Sequence, residues 1–260
     1  MKTFNLIGLD TASSLSPCIH NFVFNQMGIK AKYSSINIKK SSDIEMIIKE
    51  IKSGIIDGIN ITNPYKIDVI KYLDALDLSA KKIGAVNCVS LKNGKLYGHN
   101  TDWFGFKKML MDHKINISNK KIKIIGNGGA AFAVKYAFEH MGITEIDCYN
   151  RKTIGYNILD LKNSLDDQSF VINATPYHFV ENDLFIFNNI QRTNLIWIDL
   201  LYTKLSTKKN KEIDKNRYFY GLDMLINQAL ASIDIWFRKN ISKSVDLSDL
   251  KLYLKEVMDA

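Results

Sequence analysis

The chain has 260 residues, of which 46% are hydrophobic and 24% are charged, a composition typical of a globular protein with one large domain or two modest ones. Its net charge of +8 comes from lysines dispersed along the sequence, so a compositional bias explains it better than a nucleic-acid-binding patch does. No apolar run approaches the roughly 20 residues of a membrane-spanning helix, and the N-terminus shows no signal-peptide cleavage site. We therefore expect neither a nucleic acid nor a membrane as a partner.

The three cysteines, Cys18, Cys88 and Cys148, lie far apart and form no C-x-x-C pair. Such a set argues against a disulfide framework and against a zinc site, and it fits a reducing cytoplasm. The five histidines show no metal-ligand spacing either. We predict a cytoplasmic protein that binds no metal.

The first part of the chain alternates between strand and helix patterns. Strands are predicted at 4–9, 32–38 and 55–61, with helices from 17 to about 27 and from 42 to about 51 between them. Ser16 is expected to be the N-cap of the first helix, with Pro17 at the first helical position. This β-α-β-α-β order predicts a mostly parallel sheet.

A hairpin is predicted next, after a short helix at 77–83. The pair Asn93-Gly94 is typical of a tight turn between two strands, at 88–91 and 96–99. The second strand leads to Asn100-Thr-Asp102, from which a helix is expected to reach about residue 111.

The stretch 121–131, Lys-Ile-Lys-Ile-Ile-Gly-Asn-Gly-Gly-Ala-Ala, places a glycine cluster between an apolar strand and a helix. Gly126 allows a tight turn, Gly128 lets the backbone approach a phosphate, and the small Ala131 lets the helix pack closely on the strand. The free N–H groups at the start of the helix would face the anion. We therefore favour a dinucleotide-binding site here over a structural turn.

The rest of the chain continues the strand and helix alternation and ends in helices. Strands are predicted at 145–149, 170–173, 195–199 and 217–220, and helices at 223–237 and 248–258. The pattern changes character near residue 101, where we place a domain boundary.

Two residues that follow predicted strands, Lys66 and Asp102, are candidates for acid–base chemistry. A nicotinamide domain implies hydride transfer, and the protein must then supply or accept the hydroxyl proton. A lysine beside an alcohol can carry that proton, and a carboxylate opposite can orient it. Taken alone, each is better interpreted as a surface lysine or a helix-capping aspartate, and their spacing does not pair them.

Several short motifs follow one another along the chain. They are Ser14-Leu-Ser16-Pro17, Asn60-Ile-Thr62-Asn-Pro64-Tyr-Lys66, Gly84-Ala-Val-Asn87, Gly98-His-Asn100-Thr101-Asp102, Gly126-Asn-Gly128-Gly129-Ala130, Asn150-Arg151 and Gly221-Leu-Asp-Met-Leu-Ile-Asn-Gln228. Together they resemble shikimate dehydrogenase, and they span essentially the whole chain. An ordered set of this kind is far more specific than any one motif.

This resemblance implies reversible, NADPH-dependent reduction of 3-dehydroshikimate to shikimate, a step of chorismate and aromatic amino acid biosynthesis. It makes Lys66 and Asp102 the catalytic pair. The substrate-binding residues that it implies are Ser14, Ser16, Thr62, Asn87, Tyr202 and Gln228. The cofactor-binding residues that it implies are Gly126, Asn127, Gly128, Gly129, Ala130, Asn150, Arg151, Lys152, Thr175 and Gly221. For Ser16 a purely local role as a helix cap stays open.

The resemblance also implies an α/β fold with two domains. Residues 1–101 with 229–260 would form an α/β substrate domain with a mostly parallel sheet. Residues 102–228 would form a Rossmann-type NADP-binding domain, after which the C-terminal helices return to the substrate domain.

The choice of cofactor follows from the residues after the second strand of the nucleotide fold. A site that prefers NAD places an acidic residue on the ribose 2′-hydroxyl about 20 residues past the glycines, whereas an arginine accepts a 2′-phosphate. This chain has Arg151 and Lys152 there, and Asp147 lies inside the strand. We predict NADP.

Two loops depart from the family's pattern. Asn-Ala-Thr-Ser-x-Gly is replaced by Asn173-Ala-Thr-Pro-Tyr-His178, and Tyr-x-Pro-x-x-Thr by Tyr202-Thr-Lys-Leu-Ser-Thr207. We expect these changes to alter loops near the nicotinamide while leaving the acid–base pair in place.

Two other functions remain as alternatives. A quinate/shikimate dehydrogenase would use a broader set of substrates and cofactors, and Arg151 speaks against its frequent preference for NAD. A non-catalytic, ligand-sensing relative would tolerate loss of Lys66 and Asp102, yet both are present. Monomer and homodimer are both compatible with the sequence.

Overall fold

The computed structural model describes residues 1–151, 153–155, 157–202, 214 and 216–259. Its strands are β1 (Lys2–Gly8), β2 (Ala31–Asn37), β3 (Gly58–Ile61), β4 (Ala75–Leu76), β5 (Cys88–Lys92), β6 (Lys95–His99), β7 (Lys121–Ile125), β8 (Ile146–Tyr149), β9 (Ser169–Asn173), β10 (Ile196–Asp199) and β11 (Tyr218–Tyr220). Its α-helices are α1 (Ser16–Gln26), α2 (Asp43–Lys52), α3 (Leu78–Ile83), α4 (Asp102–Asp112), α5 (Gly129–His140), α6 (Ile158–Asn163), α7 (Phe179–Asn182), α8 (Leu184–Arg192), α9 (Leu222–Phe237) and α10 (Leu247–Asp259). Short 3₁₀ helices lie at Asp68–Tyr72 and Ile241–Ser244.

The chain divides into two compact units. The first comprises Met1–Gly105 and Leu225–Ala260, and the second comprises Phe106–Met224. The chain passes from one unit to the other within α4 and again within α9, so Asp102 and Gln228 both belong to the first unit. The predicted boundaries, at 101/102 and 228/229, lie a few residues away from these positions.

The first unit is built on a six-stranded mixed sheet with the order β2-β1-β3-β5-β6-β4. Strand β1 pairs in parallel with β2 and β3, and β4 pairs in parallel with β6, whereas β5 runs antiparallel to β3 and β6. The predicted hairpin joins β5 to β6, and its turn residues Asn93 and Gly94 have φ values of 51° and 73°. Two consecutive positive φ values are what a type I′ turn requires, which explains the Asn-Gly sequence.

The core of this unit includes one face of α2. Ile44, Ile47, Ile48 and Ile51 are all buried, and their spacing places them on one stripe of the helix. The stripe belongs to the same apolar cluster as Ile59 of the sheet.

Two local predictions for this unit are wrong. Ser16 is not the N-cap of α1 but its first residue, because Leu15 already has helical φ and ψ of −80° and −4°. The strand predicted from residue 55 begins only at Gly58, because the backbone N–H groups of Ile55 and Ile56 donate to the carbonyl of Glu50 at the end of α2.

The second unit is built on a five-stranded sheet with the order β11-β10-β9-β7-β8, in which every pairing is parallel. The chain moves outward from β7 to β8 and then crosses back to β9 on the other side of β7. That reversal is the topological switch point at which doubly wound folds bind ligands. Fully buried side chains fill the interior, among them Ile124, Ile172 and Trp197.

Candidate functional site

Most of the predicted substrate-site residues lie at one edge of the first unit's sheet. Ser14 and Ser16 follow β1, Thr62 and Lys66 follow β3, Asp102 follows β6, and Asn87 precedes β5. Because β1, β3 and β6 run in one direction and β5 in the other, their ends meet at the same edge. Sequence position alone did not reveal this convergence.

Hydrogen bonds between the loops hold this edge together. Thr62 donates its N–H to the carbonyl of Ile7 at 2.9 Å, and Asn87 donates its N–H to the carbonyl of His99 at 3.0 Å. A third bond, of 2.8 Å, runs from the Val86 N–H to the Lys66 carbonyl. The backbone therefore fixes where each of these side chains starts.

Lys66 and Asp102 form a close ion pair at this edge. The Lys66 Nζ donates to the Asp102 Oδ2 at 2.6 Å. The two side chains are only 17% and 7% exposed. Shielding from water strengthens such a charge-assisted hydrogen bond. The structure thus brings together two residues whose spacing along the sequence does not pair them.

Asn87 holds the other oxygen of the Asp102 carboxylate. The Asn87 Oδ1 accepts the Thr101 N–H at 2.7 Å, and this fixes the orientation of the amide. The Asn87 Nδ2 then donates to the Asp102 Oδ1 at 2.9 Å and to the Thr101 Oγ1 at 2.9 Å. Both carboxylate oxygens therefore receive a donor, which stabilises negative charge on Asp102.

Gln228 reaches the same cluster from α9. Its Oε1 lies 3.2 Å from the Asn87 Nδ2 and 3.3 Å from the Thr101 Oγ1, and its side chain is buried. Thr101 was not among the predicted site residues. It occurs inside the motif Asn100-Thr101-Asp102, so its position in that motif was the available signal.

The serines after β1 lie in a tight turn. The Ser14 Oγ accepts the N–H of Ser16 at 3.2 Å, while the Ser16 side chain is buried. Gly8 precedes this turn, and a Cβ there would collide with the Thr62 side chain. The glycine therefore lets the loop after β1 pack directly against the loop after β3.

Cys88 lies on β5, next to Asn87, but it is not suited to nucleophilic chemistry. The side chain is fully buried, and burial raises its pKa to about 12. A thiol in that state is a weak nucleophile at neutral pH. Within the described part of the chain, no group of three or more His, Cys, Asp or Glu side chains is placed to hold a metal ion.

The glycine stretch lies at the switch point of the second unit's sheet. Gly126 has a φ of +131° and donates its N–H to the Tyr149 carbonyl at 2.8 Å, while the Ala174 N–H donates to the Ile125 carbonyl at 2.9 Å. Helix α5 begins at Gly129, directly after the turn. A strand, a tight turn and a helix N-terminus thus follow one another as the fingerprint requires.

The stretch also leaves room for a ligand. Apart from its chain neighbours, no described residue has an atom within 4 Å of the position that a Gly128 Cβ would occupy, and Asn127 and Gly128 are exposed. Ala131 is 4% exposed, and its Cβ lies 3.5 Å from the Cβ position of Gly126. Small residues therefore serve two purposes here, an open approach at Gly128 and close packing at Ala131.

After β8, Asn150 and Thr153 are joined by hydrogen bonds. Asn150 donates to the Thr153 Oγ1 at 2.9 Å and accepts the Thr153 N–H at 3.2 Å, so its side chain has a local role. Arg151 is exposed at the carboxyl end of β8. Lys152, the third residue predicted here, lies outside the described residues.

The remaining predicted cofactor residues have evident local roles. Thr175 donates both its N–H and its hydroxyl to the Asn173 Oδ1, at 3.0 and 2.7 Å. Gly221 is required by packing, because a Cβ there would collide with the Leu200 carbonyl.

Tyr202, the remaining predicted substrate-binding residue, is half-buried. Residues 203–207 of its motif lie outside the described residues.

Comparison with known proteins identifies the family. A family model described as the shikimate dehydrogenase substrate binding domain matches residues 6–89. A shikimate dehydrogenase (NADP(+)) of Clostridium beijerinckii is 36% identical over 253 residues, which cover 91% of this chain and 92% of that protein. This chain belongs to the shikimate dehydrogenase family. The resemblance that the motifs indicated is thereby confirmed.

Solved structures of the family align with this chain over nearly its full length. Shikimate dehydrogenase 1 of Peptoclostridium difficile aligns with a TM-score of 0.79 at 32% identity, over 99% of this chain and 98% of that one. A shikimate dehydrogenase in complex with NADP⁺ aligns with a TM-score of 0.80 at 27% identity, over 99% of this chain and 96% of that one. The predicted α/β fold class, with two domains of which one is Rossmann-type, is confirmed.

No helix in the described ranges is long and apolar enough to cross a membrane.

Proposed function

We propose that this protein catalyses the reversible, NADPH-dependent reduction of 3-dehydroshikimate to shikimate, a step of chorismate biosynthesis. The observation that carries the proposal is the 2.6 Å contact between the Lys66 Nζ and the Asp102 Oδ2, in a site with 17% and 7% exposure of the two side chains. A proton carrier held beside a fixed carboxylate is the machinery that ketone reduction needs from a protein.

The protein's own part in the reaction is the transfer of a proton. In the reducing direction, the Lys66 ammonium donates a proton to the carbonyl oxygen as that oxygen becomes a hydroxyl. Asp102 accepts the hydrogen bond from Lys66, while Asn87 donates to the other oxygen of Asp102 at 2.9 Å and so prevents the carboxylate from rotating. In the oxidising direction, the hydroxyl proton returns to the Lys66 Nζ.

The substrate is a small acid with several hydroxyl groups, and the edge of the first unit's sheet offers matching short polar side chains. We assign its carboxylate to Ser14 and Ser16. Its hydroxyls are assigned to Thr62, Asn87 and Gln228, and Tyr202 is assigned to its surroundings. Amide side chains suit this role because each has both donors and acceptors for hydroxyl groups.

The second unit has the features that NADP requires. The open backbone at Gly128 and the N-terminus of α5 fit a pyrophosphate, and the exposed Arg151 fits a 2′-phosphate. We assign the cofactor to Gly126, Asn127, Gly128, Gly129, Ala130, Asn150, Arg151, Lys152, Thr175 and Gly221. When bound, NADPH supplies the hydride.

The proposal also covers the protein's location, partners and oligomeric state. All three cysteines are free thiols, and we place the protein in the cytoplasm. We expect no nucleic-acid partner, and we expect the protein to act as a monomer or a homodimer.

The test is steady-state oxidation of shikimate and of quinate, each with NADP and with NAD. We expect shikimate with NADP to be the preferred combination. Lys66→Ala should lower kcat by about 10²- to 10⁴-fold, the usual range for loss of a general acid or base, with a smaller effect on the KM for shikimate. The control is Lys81→Ala, which removes an exposed lysine from α3 of the same unit.

Two results would contradict the proposal at different levels. Wild-type protein that oxidises shikimate with neither cofactor would refute the activity. Near-normal turnover by Lys66→Ala, with active wild type, would refute only the role of Lys66.

A further inference from the structure

Two buried side chains outside the predicted site, Tyr33 on β2 and Asn60 on β3, connect to its hydrogen-bond network. They are 1% and 4% exposed. The Tyr33 hydroxyl donates to the Asn60 Oδ1 at 2.9 Å. A buried amide of this kind needs its partners, since an unsatisfied polar group in the core is strongly unfavourable.

The amide of Asn60 links this tyrosine to the substrate site. Its Nδ2 donates to the backbone carbonyl of Asn87 at 2.9 Å and to the Ser232 Oγ at 3.0 Å. Because a carbonyl can only accept, the Asn87 carbonyl fixes the orientation of the amide, with the Nδ2 towards Asn87 and the Oδ1 towards Tyr33. The Tyr33 hydroxyl then donates to the Oδ1 and holds Asn60 in the position from which it supports Asn87.

From Ser232 the network continues to the catalytic carboxylate. The Ser232 hydroxyl donates to the Gln228 carbonyl at 3.0 Å and lies 3.2 Å from the Thr101 Oγ1. Thr101 in turn accepts from the Asn87 Nδ2, which also donates to Asp102. An unbroken series of hydrogen bonds thus runs from Tyr33 to the Asp102 side chain.

His20 on α1 holds the ring of Tyr33 in place. The two rings stack with their centroids 3.9 Å apart and an angle of 10° between their planes. Burial lowers the pKa of His20 to about 4, so the ring is neutral at physiological pH. Its Nε2 has no partner among the described residues, which places the proton on Nδ1, where it is donated to the Ser16 carbonyl at 2.8 Å. The stacked pair therefore touches both Ser16 and Asn60.

We propose that Tyr33 is a positioning residue, which acts through Asn60 to hold Asn87 and Thr101 in the geometry that binds shikimate and orients Asp102. This inference rests on the proposed function. It assigns to a core tyrosine on the edge strand β2 a role in the affinity for the substrate and in turnover. The stacked His20 keeps the phenol directed at Asn60.

The test is Tyr33→Phe, which keeps the ring and the stack and removes only the hydroxyl. The KM for shikimate should rise roughly three- to tenfold, the effect expected from one buried hydrogen bond, while the KM for NADP stays unchanged. The matched control is Tyr72→Phe, which removes a hydroxyl that donates to the Ser41 carbonyl at 3.3 Å in the same unit, away from this network. Melting temperatures of both variants show whether each remains folded.

A double-mutant cycle that combines Tyr33→Phe with Ser232→Ala tests whether Tyr33 acts through Asn60 and Ser232. Ser232 accepts from Asn60, so the two variants should show coupled, non-additive effects on the KM for shikimate. The inference is overturned if Tyr33→Phe lowers only the melting temperature, if its KM values match those of Tyr72→Phe, or if the effects of the two variants are additive. Wild-type protein without shikimate oxidation would instead refute the proposed function, so the two failures are distinguishable.

Discussion

The substrate-site residues of the first unit and the glycine stretch of the second unit are built on opposite principles. In the first unit, buried and half-buried side chains satisfy one another's hydrogen bonds, as Lys66, Asn87 and Asp102 do. In the second unit, the important feature around Gly128 is space and exposed backbone. In the first site, loss of one hydrogen bond should affect the position of the other side chains in the network. In the second site, an added side chain should weaken ligand binding.

The largest effect that we expect on the free energy of unfolding is its dependence on pH, which arises in the buried network. Burial disfavours the charged form of His20 and lowers its pKa to about 4, from 6.5 for an unperturbed histidine. The unfolded chain therefore binds this proton more readily than the folded protein does. The contribution of His20 to the free energy of unfolding is fully present above pH 6.5 and is lost as the pH falls towards 4. The loss amounts to at most about 3 kcal/mol.

Chemical denaturation of wild type and of His20→Phe between pH 4 and 7.5 measures this contribution. The difference in slope between the two isolates His20 from other titrating groups. The control is His140→Phe, which changes an exposed histidine and should retain the wild-type slope. A wild-type slope in His20→Phe would show that protonation of His20 does not contribute to the pH dependence of stability.

Arg151→Ala tests whether the second site depends on a single exposed side chain as well as on backbone. An arginine fork on a phosphate provides charge-assisted hydrogen bonds, so the KM for NADP should rise roughly 10- to 100-fold while the KM for NAD changes little. Arg192→Ala, at an exposed arginine of α8, is the control. An equal rise in the KM for both cofactors would show that Arg151 does not discriminate between NADP and NAD.

The pair Gly126→Ala and Gly128→Ala separates backbone strain from ligand approach. Gly126 has a φ of +131°, so alanine there should destabilise the protein by about 1–2 kcal/mol. Gly128 has an extended backbone with open space around its Cβ position, so alanine there should leave the melting temperature unchanged. It should nevertheless weaken NADPH binding about tenfold, because a Cβ blocks close approach of the phosphates.

Melting temperatures and titration of NADPH fluorescence distinguish these outcomes. Tight NADPH binding by Gly128→Ala would mean that the pyrophosphate does not approach this glycine. The substrate site should be unaffected in either variant, which shikimate binding without cofactor can verify.

The elements that were predicted well are those specified by local chemistry. Asn93-Gly94 predicts its hairpin because only certain residues adopt two positive φ values in succession. The glycine cluster at 126–129 predicts the strand–turn–helix order for a similar reason. Errors occurred at the ends of elements, as at Ser16, where helical geometry already begins at Leu15, and at Ile55 and Ile56, where backbone N–H groups bond to the end of α2.

The network from Tyr33 to Asp102 was not predictable in the same way. Tyr33 fits the sequence pattern as an ordinary strand residue and Ser232 as a small polar residue, while Asn60 and Thr101 lie in motifs that do not show which residues they contact. Their partners are far away along the chain, up to 172 residues in the case of Asn60 and Ser232. Pairing over such separations depends on the order of the strands and on where α9 packs against the sheet, which the local sequence pattern does not specify.

The sequence by itself determined the family through its ordered motifs, and it indicated the cofactor through the glycine cluster and Arg151. These features are local, because a phosphate-binding turn needs particular residues in consecutive positions. The tertiary structure decided that Lys66 meets Asp102 at 2.6 Å and that Asn87 holds the carboxylate from the other side. It did so because the parallel pairing of β1 with β3 and the antiparallel pairing of β5 with its neighbours bring strand ends from distant parts of the chain to one edge.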